Sequence, residues 1–301
     1  MINLSELTAL CEKLGCKIIP ECPLKEYVTF RLGGSCRALI SVNSAVSAVE
    51  LLKYLKAGGI KYGVLGRGSN VLPADEGFDG VILLFGSDFS NITMEGTTIK
   101  CQAGTLLASA CVHAQQRGLT GMENLFGIPG TVGGALYMNA GAYGSEMKDV
   151  VVSAQYIDEN CNICDISIED MELSYRHSFF SDRDCIITSV TMKLTEGDPD
   201  AVKAAMTECM GKRSSKQPLE YPSAGSTFKR PEGSYASKLI DQCGLKGMSR
   251  GGAQVSEKHA GFVINTGDAT CSDVLELCSD IIKIVKEKTG YTLELEPVIL
   301  K

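Results

Sequence analysis

Gly127-Ile128-Pro129-Gly130-Thr131-Val132-Gly133-Gly134-Ala135-Leu136-Tyr137-Met138-Asn139-Ala140-Gly141-Ala142-Tyr143-Gly144 is the stretch around which the rest of the sequence is organised. Four glycines fall in its first eight residues, beside a proline and without charge. Such a backbone approaches another object closely and reaches positive φ, which predicts a docking surface; a buried glycine-rich turn is the alternative. A second glycine-rich turn upstream, Leu65-Gly66-Arg67-Gly68-Ser69-Asn70, also follows an apolar strand-like run, and the two together favour docking.

Composition narrows the class. A chain of 301 residues, 44% hydrophobic and 22% charged, suits about two globular domains with a real core. A net charge of -7 and a pI near 5.2 argue against a nucleic-acid or anionic-membrane binder, so an anionic ligand needs a local basic pocket. Residues 1–20 carry Leu4, Leu7, Leu10, Cys11 and Leu14 at helical spacing among charges, which predicts an amphipathic surface helix and not a signal peptide. No apolar run approaches the ~20 residues of a membrane span. Thirteen cysteines, an odd number, suit reduced thiols in the cytoplasm better than a disulfide framework. Cys161-Asn162-Ile163-Cys164 has zinc or redox spacing, but it follows turn-like Asp158-Glu159-Asn160 between two strand-like runs, without a second pair. It reads as a hairpin, and no metal is expected.

Along the chain, Tyr27 to Gly34 and Cys36 to Val42 read as extended. Ser44 caps a helix with Val46, Val49, Leu52 and Leu55 as its apolar face, closed by Gly58-Gly59. Strands are expected at Lys61–Leu65 and Val81–Phe85, and a hairpin from Ile92 to Cys101 turning at Glu95-Gly96. Thr105 starts a helix running to about Arg117, with Gly118 as its stop. Strands follow at Val150–Ile157, near Cys161–Ser167, and at Cys185–Leu194. A boundary falls at Glu196-Gly197-Asp198-Pro199, where Asp198 and Pro199 open a helix reaching Arg213. Beyond it come a helix Tyr235–Cys243, a strand Ala260–Asn265, a helix capped by Thr270 with Asp273 and ended by Gly290, and a strand Tyr291–Leu300.

The Gly66 loop lacks the third glycine of a dinucleotide fingerprint, Asn70-Val71-Leu72-Pro73 does not open a helix, and no Gly-x-x-x-x-Gly-Lys-Ser/Thr occurs. What remains is a run of backbone N–H groups able to form a nest for a pyrophosphate, with Ser69 and Asn70 as extra donors.

Taken together the motifs are more specific. Thr29-Phe30-Arg31-Leu32-Gly33-Gly34, the Gly66 loop, the Gly127 stretch with Asn139-Ala140-Gly141-Ala142-Tyr143-Gly144, Tyr175-Arg176-His177-Ser178, Ala224-Gly225-Ser226-Thr227-Phe228-Lys229-Arg230-Pro231 and Leu293-Glu294-Leu295-Glu296 occur in order across almost the whole chain. This series resembles the UDP-N-acetylenolpyruvoylglucosamine reductases (UDP-N-acetylmuramate dehydrogenases). The resemblance implies an α+β chain. A two-lobed FAD-binding module of the vanillyl-alcohol-oxidase type would span 1–197 (lobes of about 1–88 and 89–197), with an α+β substrate-binding domain over 198–301. The short connection from Arg183 to Thr191 matches the compact subtype. The family uses NADPH to reduce FAD and passes hydride to the enolpyruvyl ether of UDP-N-acetylglucosamine (UDP-GlcNAc-enolpyruvate), giving UDP-N-acetylmuramate for peptidoglycan. The implied FAD contacts are Gly66, Arg67, Gly68, Ser69 and Asn70 in one loop, and Gly127, Ile128, Pro129, Gly130, Thr131, Gly133, Gly134, Asn139, Gly141 and Ala142 in the other. A cytoplasmic monomer is expected, and a flavin oxidase or a catalytically silent nucleotide binder are the competing readings.

Hydride addition to an enolpyruvyl carbon pushes charge into the adjoining carboxylate. Arg176 matches the family's arginine, a planar cation suited to that carboxylate; without the motif it reads as a surface ion-pair residue. Glu296 matches the family's C-terminal glutamate, and to donate a hydrogen bond it must be held protonated, its pKa raised by burial. Strand alternation puts Glu294 and Glu296 on one face, so only the motif selects Glu296. The family's Glu-Val-Arg here reads Glu296-Pro297-Val298, which loses an arginine and a strand N–H. Ser226 matches the serine that protonates the neighbouring carbon, helped by Lys216 or Lys229; Gly225-Ser226 alone is turn chemistry. Tyr175, Arg213, Lys216, Lys229 and His259 are the candidate contacts to the nucleotide substrates, and His113 reads as structural.

Overall fold

In the computed structural model, which describes residues 2–301, the chain divides into one unit of Met1–Pro20, Ala38–Arg67 and Gly80–Lys212 and another of Glu21–Arg37, Gly68–Asp79 and Arg213–Lys301.

The first unit opens with α1 (Leu4–Leu14), started by Asn3, whose side chain accepts from the Glu6 N–H, and stopped by Gly15 at φ 67. A strand at Lys17–Pro23 follows where the sequence suggested only helix. Ser44 caps α2 (Ala45–Ala57) through a reciprocal box with Ser47. Its buried face is Ala48, Leu51, Leu52 and Leu55, and Val46 is 66% exposed. The face inferred from Val46 was displaced: steps of three residues drift round a helix of about 3.6 residues per turn, which leaves Val46 about half a turn out of phase with Leu55. A four-stranded sheet runs in the order Lys17–Pro23, Ser35–Ser41, Phe78–Leu84, Tyr62–Leu65, the last pair parallel with Leu65 opposite Leu84.

A five-stranded antiparallel sheet runs in the order Ile163–Ser167, Val151–Ile157, Ile186–Lys193, Thr98–Gln102, Ile92–Glu95. The hairpin at Cys161-Cys164 is as expected, with Asp158 accepting from the N–H groups of Asn160 and Asn162. All thirteen cysteines are free, and among the described residues no cluster of His, Cys, Asp and Glu suits a metal ion. Helix α3 (Leu107–Gln116) starts two residues later than expected. Thr105 is not its cap but is fully buried, its carbonyl accepting from the Val132 N–H at 2.7 Å. The core gathers Ile99, Cys101, Leu107, Val132, Leu136 and Val190 between this sheet, α3 and the short helix α4 (Val132–Tyr137).

Helix α5 (Pro199–Lys216) leads into the second unit. There α6 (Ala236–Gln242) and α7 (Cys271–Thr289) pack together, with a meander of Ser249–Arg250, Ala253–Val255 and Val263–Asn265, around Leu239, Ile240, Val274, Leu277 and Ile281. Thr270 and Asp273 form the expected box at the start of α7, and Gly290 ends it at φ 80. A second carboxylate joins that helix start: Asp75 accepts from the N–H groups of Cys271 (2.6 Å) and Ser272 (2.9 Å) and from the Ser272 hydroxyl (2.7 Å). The strand expected over Tyr291–Leu300 is reduced to a bridge at Leu295 and a strand at Val298–Leu300 either side of Pro297, which has no N–H to give. Val298–Leu300 pairs in parallel with Val71–Pro73, a strand the sequence did not suggest. Among the described residues no helix is long and apolar enough to cross a membrane.

Candidate active site

The two glycine-rich loops meet in the first unit. A Cβ at Gly66 would collide with the Thr131 hydroxyl, so the backbone passes against that side chain with no room to spare. Thr131 caps α4, its Oγ1 accepting from the Gly134 N–H at 3.3 Å. The glycines of the Gly127 stretch serve packing more than turning: Gly127, Gly130, Gly133 and Gly134 all avoid positive φ. Gly133 lies so close to Ala103 that a Cβ would clash, and its N–H donates to the Ala103 carbonyl at 2.9 Å. The expectation of a bare docking surface is therefore corrected over Val132–Tyr137, where Val132, Gly133, Ala135 and Leu136 are buried core. Ile128 and Gly130 also spend their N–H groups internally. Pro129 and Gly134 are exposed, and Gly127, Ile128, Gly130, Gly141 and Ala142 are half-buried.

The Gly66 loop behaves differently. Among the described residues no protein acceptor takes the backbone N–H groups of Gly66 and Arg67 in the first unit or of Gly68 and Ser69 in the second, and such N–H groups are what an anionic group bonds to.

Arg176 stands on a four-residue turn of the first unit, closed by Ser174 N–H to His177 carbonyl (3.1 Å) and His177 N–H to Ser174 carbonyl (3.3 Å). Its φ of 57 lies in the left-handed region, and its guanidinium stacks 5.0 Å from the centre of the Tyr175 ring. His177 is held above its usual pKa by the hydrogen bond from its Nε2 to Asp182 (2.8 Å). Asn139 is fully buried, with its side-chain amide bonded to protein groups.

The second unit gathers Gly68, Ser69, Asn70, Ser226 and Glu296. The Glu296 carbonyl accepts from the Asn70 side chain at 3.3 Å, and the Glu296 N–H donates to the Thr227 carbonyl at 3.0 Å. Thr227 follows Ser226, so the serine and the glutamate sit on facing extended segments joined by the Phe228–Leu295 bridge. Ser226 is exposed and Glu296 half-buried. Glu294, which alternation could not tell from Glu296, instead faces Lys229 at 3.6 Å near the surface. Thr29 ties the same loops together, donating its hydroxyl to the Ser223 carbonyl (2.7 Å) and its N–H to the Gly68 carbonyl (3.2 Å).

Arg213 and Lys216 lie in the last turns of α5. Burial pushes the His259 pKa below its usual value, and its Nδ1 accepts from the Gly261 N–H at 3.1 Å, which leaves the proton of the neutral ring on Nε2. Sequence reasoning gave no organising role to Thr29, whose partners Gly68 and Ser223 are distant in sequence, or to Glu146, the last residue of the short strand Ser145–Glu146, which accepts from the Asn139 side chain.

Known proteins resemble this chain over most of its length. The C-terminal domain of UDP-N-acetylenolpyruvoylglucosamine reductase matches residues 217–300, and an FAD binding domain matches residues 36–167. A UDP-N-acetylenolpyruvoylglucosamine reductase of Caldanaerobacter subterraneus is 47% identical over 271 residues, 90% of this chain and 89% of that one. Another from Clostridium perfringens is 44% identical over 283 residues, 94% and 93% of the respective chains. The solved UDP-N-acetylenolpyruvylglucosamine reductase of Thermus caldophilus superposes with a TM-score of 0.81 at 34% identity, covering 95% of this chain and 99% of that one. The chain belongs to the UDP-N-acetylenolpyruvoylglucosamine reductase family, with an FAD-binding domain followed by that family's C-terminal domain.

Proposed function

We propose that this chain uses NADPH and FAD to reduce the enolpyruvyl group of UDP-N-acetyl-3-O-(1-carboxyvinyl)-glucosamine, giving UDP-N-acetylmuramate for peptidoglycan. The observation that carries the reading is the position of Glu296, whose main chain is bonded on one side to Asn70 of the glycine loop and on the other to Thr227, next to Ser226.

The residues present fit the cofactor. Gly66, Arg67, Gly68 and Ser69 would hold the FAD pyrophosphate on N–H groups that no protein acceptor takes among the described residues. Bound FAD supplies the two-electron reductant, itself drawn from NADPH, that the terminal enolpyruvyl carbon requires.

The protein's part is to manage charge and protons. Arg176 binds the substrate carboxylate and balances the charge that develops there. Ser226 gives its hydroxyl proton to the carbon bearing the carboxylate, a step open to so weak an acid because that carbon is strongly basic once its neighbour is reduced. Glu296, half-buried, acts in its acid form and donates a hydrogen bond into the same charge. Tyr175, Arg213, Lys216, Lys229 and the Nε2–H of His259 are the proposed contacts to the nucleotide parts of the two substrates. Residues 1–197 would serve the flavin and 198–301 the sugar nucleotide. A cytoplasmic monomer is the form of the enzyme that goes with this reading.

Anaerobic addition of NADPH to the purified flavoprotein should bleach its absorbance, and the UDP-GlcNAc-enolpyruvate should restore it with one equivalent of UDP-N-acetylmuramate formed. A protein that takes up no FAD, or a bleached flavin that oxygen restores and the enolpyruvyl substrate does not, would overturn the reading.

A further inference from the structure

Two side chains fix the Arg176 turn to the end of α4, one on each side of the arginine. On the near side, the Asn139 amide nitrogen donates to the Ser174 carbonyl at 2.9 Å. On the far side, Ser178, which is fully buried, donates its hydroxyl to the Tyr137 carbonyl at 2.7 Å. The turn between them is closed by its own pair of hydrogen bonds, so Arg176 is held at the tip of a loop anchored at both ends.

Asn139 is built for the task. It directly follows the helix cap Met138, takes φ 39, a conformation that asparagine tolerates better than most residues, and is 0% exposed. Its amide also donates to a Glu146 carboxylate oxygen (3.0 Å), and its carbonyl oxygen accepts from the Lys148 N–H (3.0 Å). Both N–H groups of the amide and one lone pair of its carbonyl oxygen are thus used to lock α4, the segment after Gly144 and the arginine turn to one another. Glu146 answers electrostatically. Burial alone would raise its pKa, but the hydrogen bond and charge of Lys148, the hydrogen bond from Asn139 and the nearby charge of Arg176 outweigh it and hold the carboxyl below its ordinary value.

We propose that Asn139 and Ser178 are positioning residues for Arg176, aligning its guanidinium through the backbone of the 174–178 turn. The Asn139 side chain, taken up by these protein groups, acts through the arginine. The helix they use is the one whose N-cap, Thr131, lies against Gly66. One short rigid element therefore references the carboxylate-binding group to the cofactor loop within the first unit.

This inference rests on the role given to Arg176 above, and the experiment separates the two. Asn139→Gly keeps a residue that accepts φ 39, and Ser178→Ala is a milder second variant that leaves Asn139 in place. Each should slow reoxidation of reduced flavin by UDP-GlcNAc-enolpyruvate by about tenfold or more, as expected when a binding group is misplaced, while bleaching by NADPH changes by less than about twofold. In an Arg176→Ala background the same substitutions should add no further slowing, because the group they align is gone. If Arg176→Ala itself leaves reoxidation unchanged, the assignment of Arg176 falls and this inference with it. If Arg176→Ala slows reoxidation, but Ser178→Ala and Asn139→Gly slow both half-reactions equally or multiply their effects in that background, the inference alone is overturned.

Discussion

Replacing Gly66 by alanine should be costly, and the cost should depend on Thr131. The new Cβ would meet the Thr131 hydroxyl in hard contact and its Cγ2 at 3.3 Å. Thr131 has no easy retreat. It is 3% exposed, and its Oγ1 is the acceptor that caps α4 for the Gly134 N–H. Overpacking at such a site costs about 2 kcal/mol, or about a 30-fold change in the folding equilibrium. Thr131→Ala alone loses the cap, about 1 kcal/mol. Independent effects would sum to about 3 kcal/mol, but the double variant should lose only about 1 kcal/mol, because removing Oγ1 and Cγ2 vacates the space that the alanine needs. With no tryptophan in the chain, urea unfolding of the apoprotein is followed by far-ultraviolet circular dichroism, and FAD retention by gel filtration. Gly66→Ala should also retain less FAD, and Thr131→Ala should restore it. Additive losses, or a Gly66→Ala protein as stable as the parent, would refute the close approach of the two loops.

Further outcomes follow from the same geometry. Ser226→Ala should leave NADPH bleaching intact and slow reoxidation by about a thousandfold; equal loss in both half-reactions would remove its role as proton donor. Glu296→Gln keeps a donor and should retain at least about tenfold more reoxidation rate than Glu296→Ala, whereas equal rates would argue against a hydrogen bond given by an acid. Asp75→Ala should reduce hydrogen-exchange protection of the Cys271 and Ser272 amides by about tenfold at pH 7. Burial would raise the Asp75 pKa, but the hydroxyl and N–H of Ser272 and the N–H of Cys271 bring it below the ordinary value. Its stabilisation is therefore complete above the usual aspartate pKa and lost as pH falls through the lowered one, so parent and variant should converge in acid; a difference that persists there would contradict the carboxylate cap. Alkylation near pH 8 should label half-buried Cys164 well before Cys36 or Cys101, whose thiols burial raises to about 12; mass mapping that finds Cys36 first would be inconsistent with this packing.

Much of the local structure was legible because it is written in local chemistry. Ser44, Thr270 with Asp273, and Gly290 mark helix ends through bonds spanning one turn, and Glu95-Gly96 and Asp158 turn hairpins for the same reason. Contacts distant in sequence leave no such mark. The pairing of Val71–Pro73 with Val298–Leu300 is invisible in either segment, since Pro73 discourages a strand and Pro297 interrupts one. The site divides in the same way. Arg176, Ser226 and Glu296 were found through motifs; alternation alone could not tell Glu296 from Glu294, and their different partners, Asn70 and Lys229, are visible only in the fold. The glycines of the central stretch were credited with freedom to turn, yet Gly133 is there because Ala103 leaves no space for a side chain.

The bracing of the glycine loop has a consequence for biosynthesis. Val298 donates to the Asn70 carbonyl, Asn70 donates to the Glu296 carbonyl, and Ala74 donates to the Leu300 carbonyl, so the segment after Gly68 is completed by residues made long after it. A nascent chain whose loop has already left the ribosome still lacks the strand that shapes it. Flavin capture should therefore wait for translation to pass Leu300, and ribosome-bound chains stalled short of that point should emerge colourless.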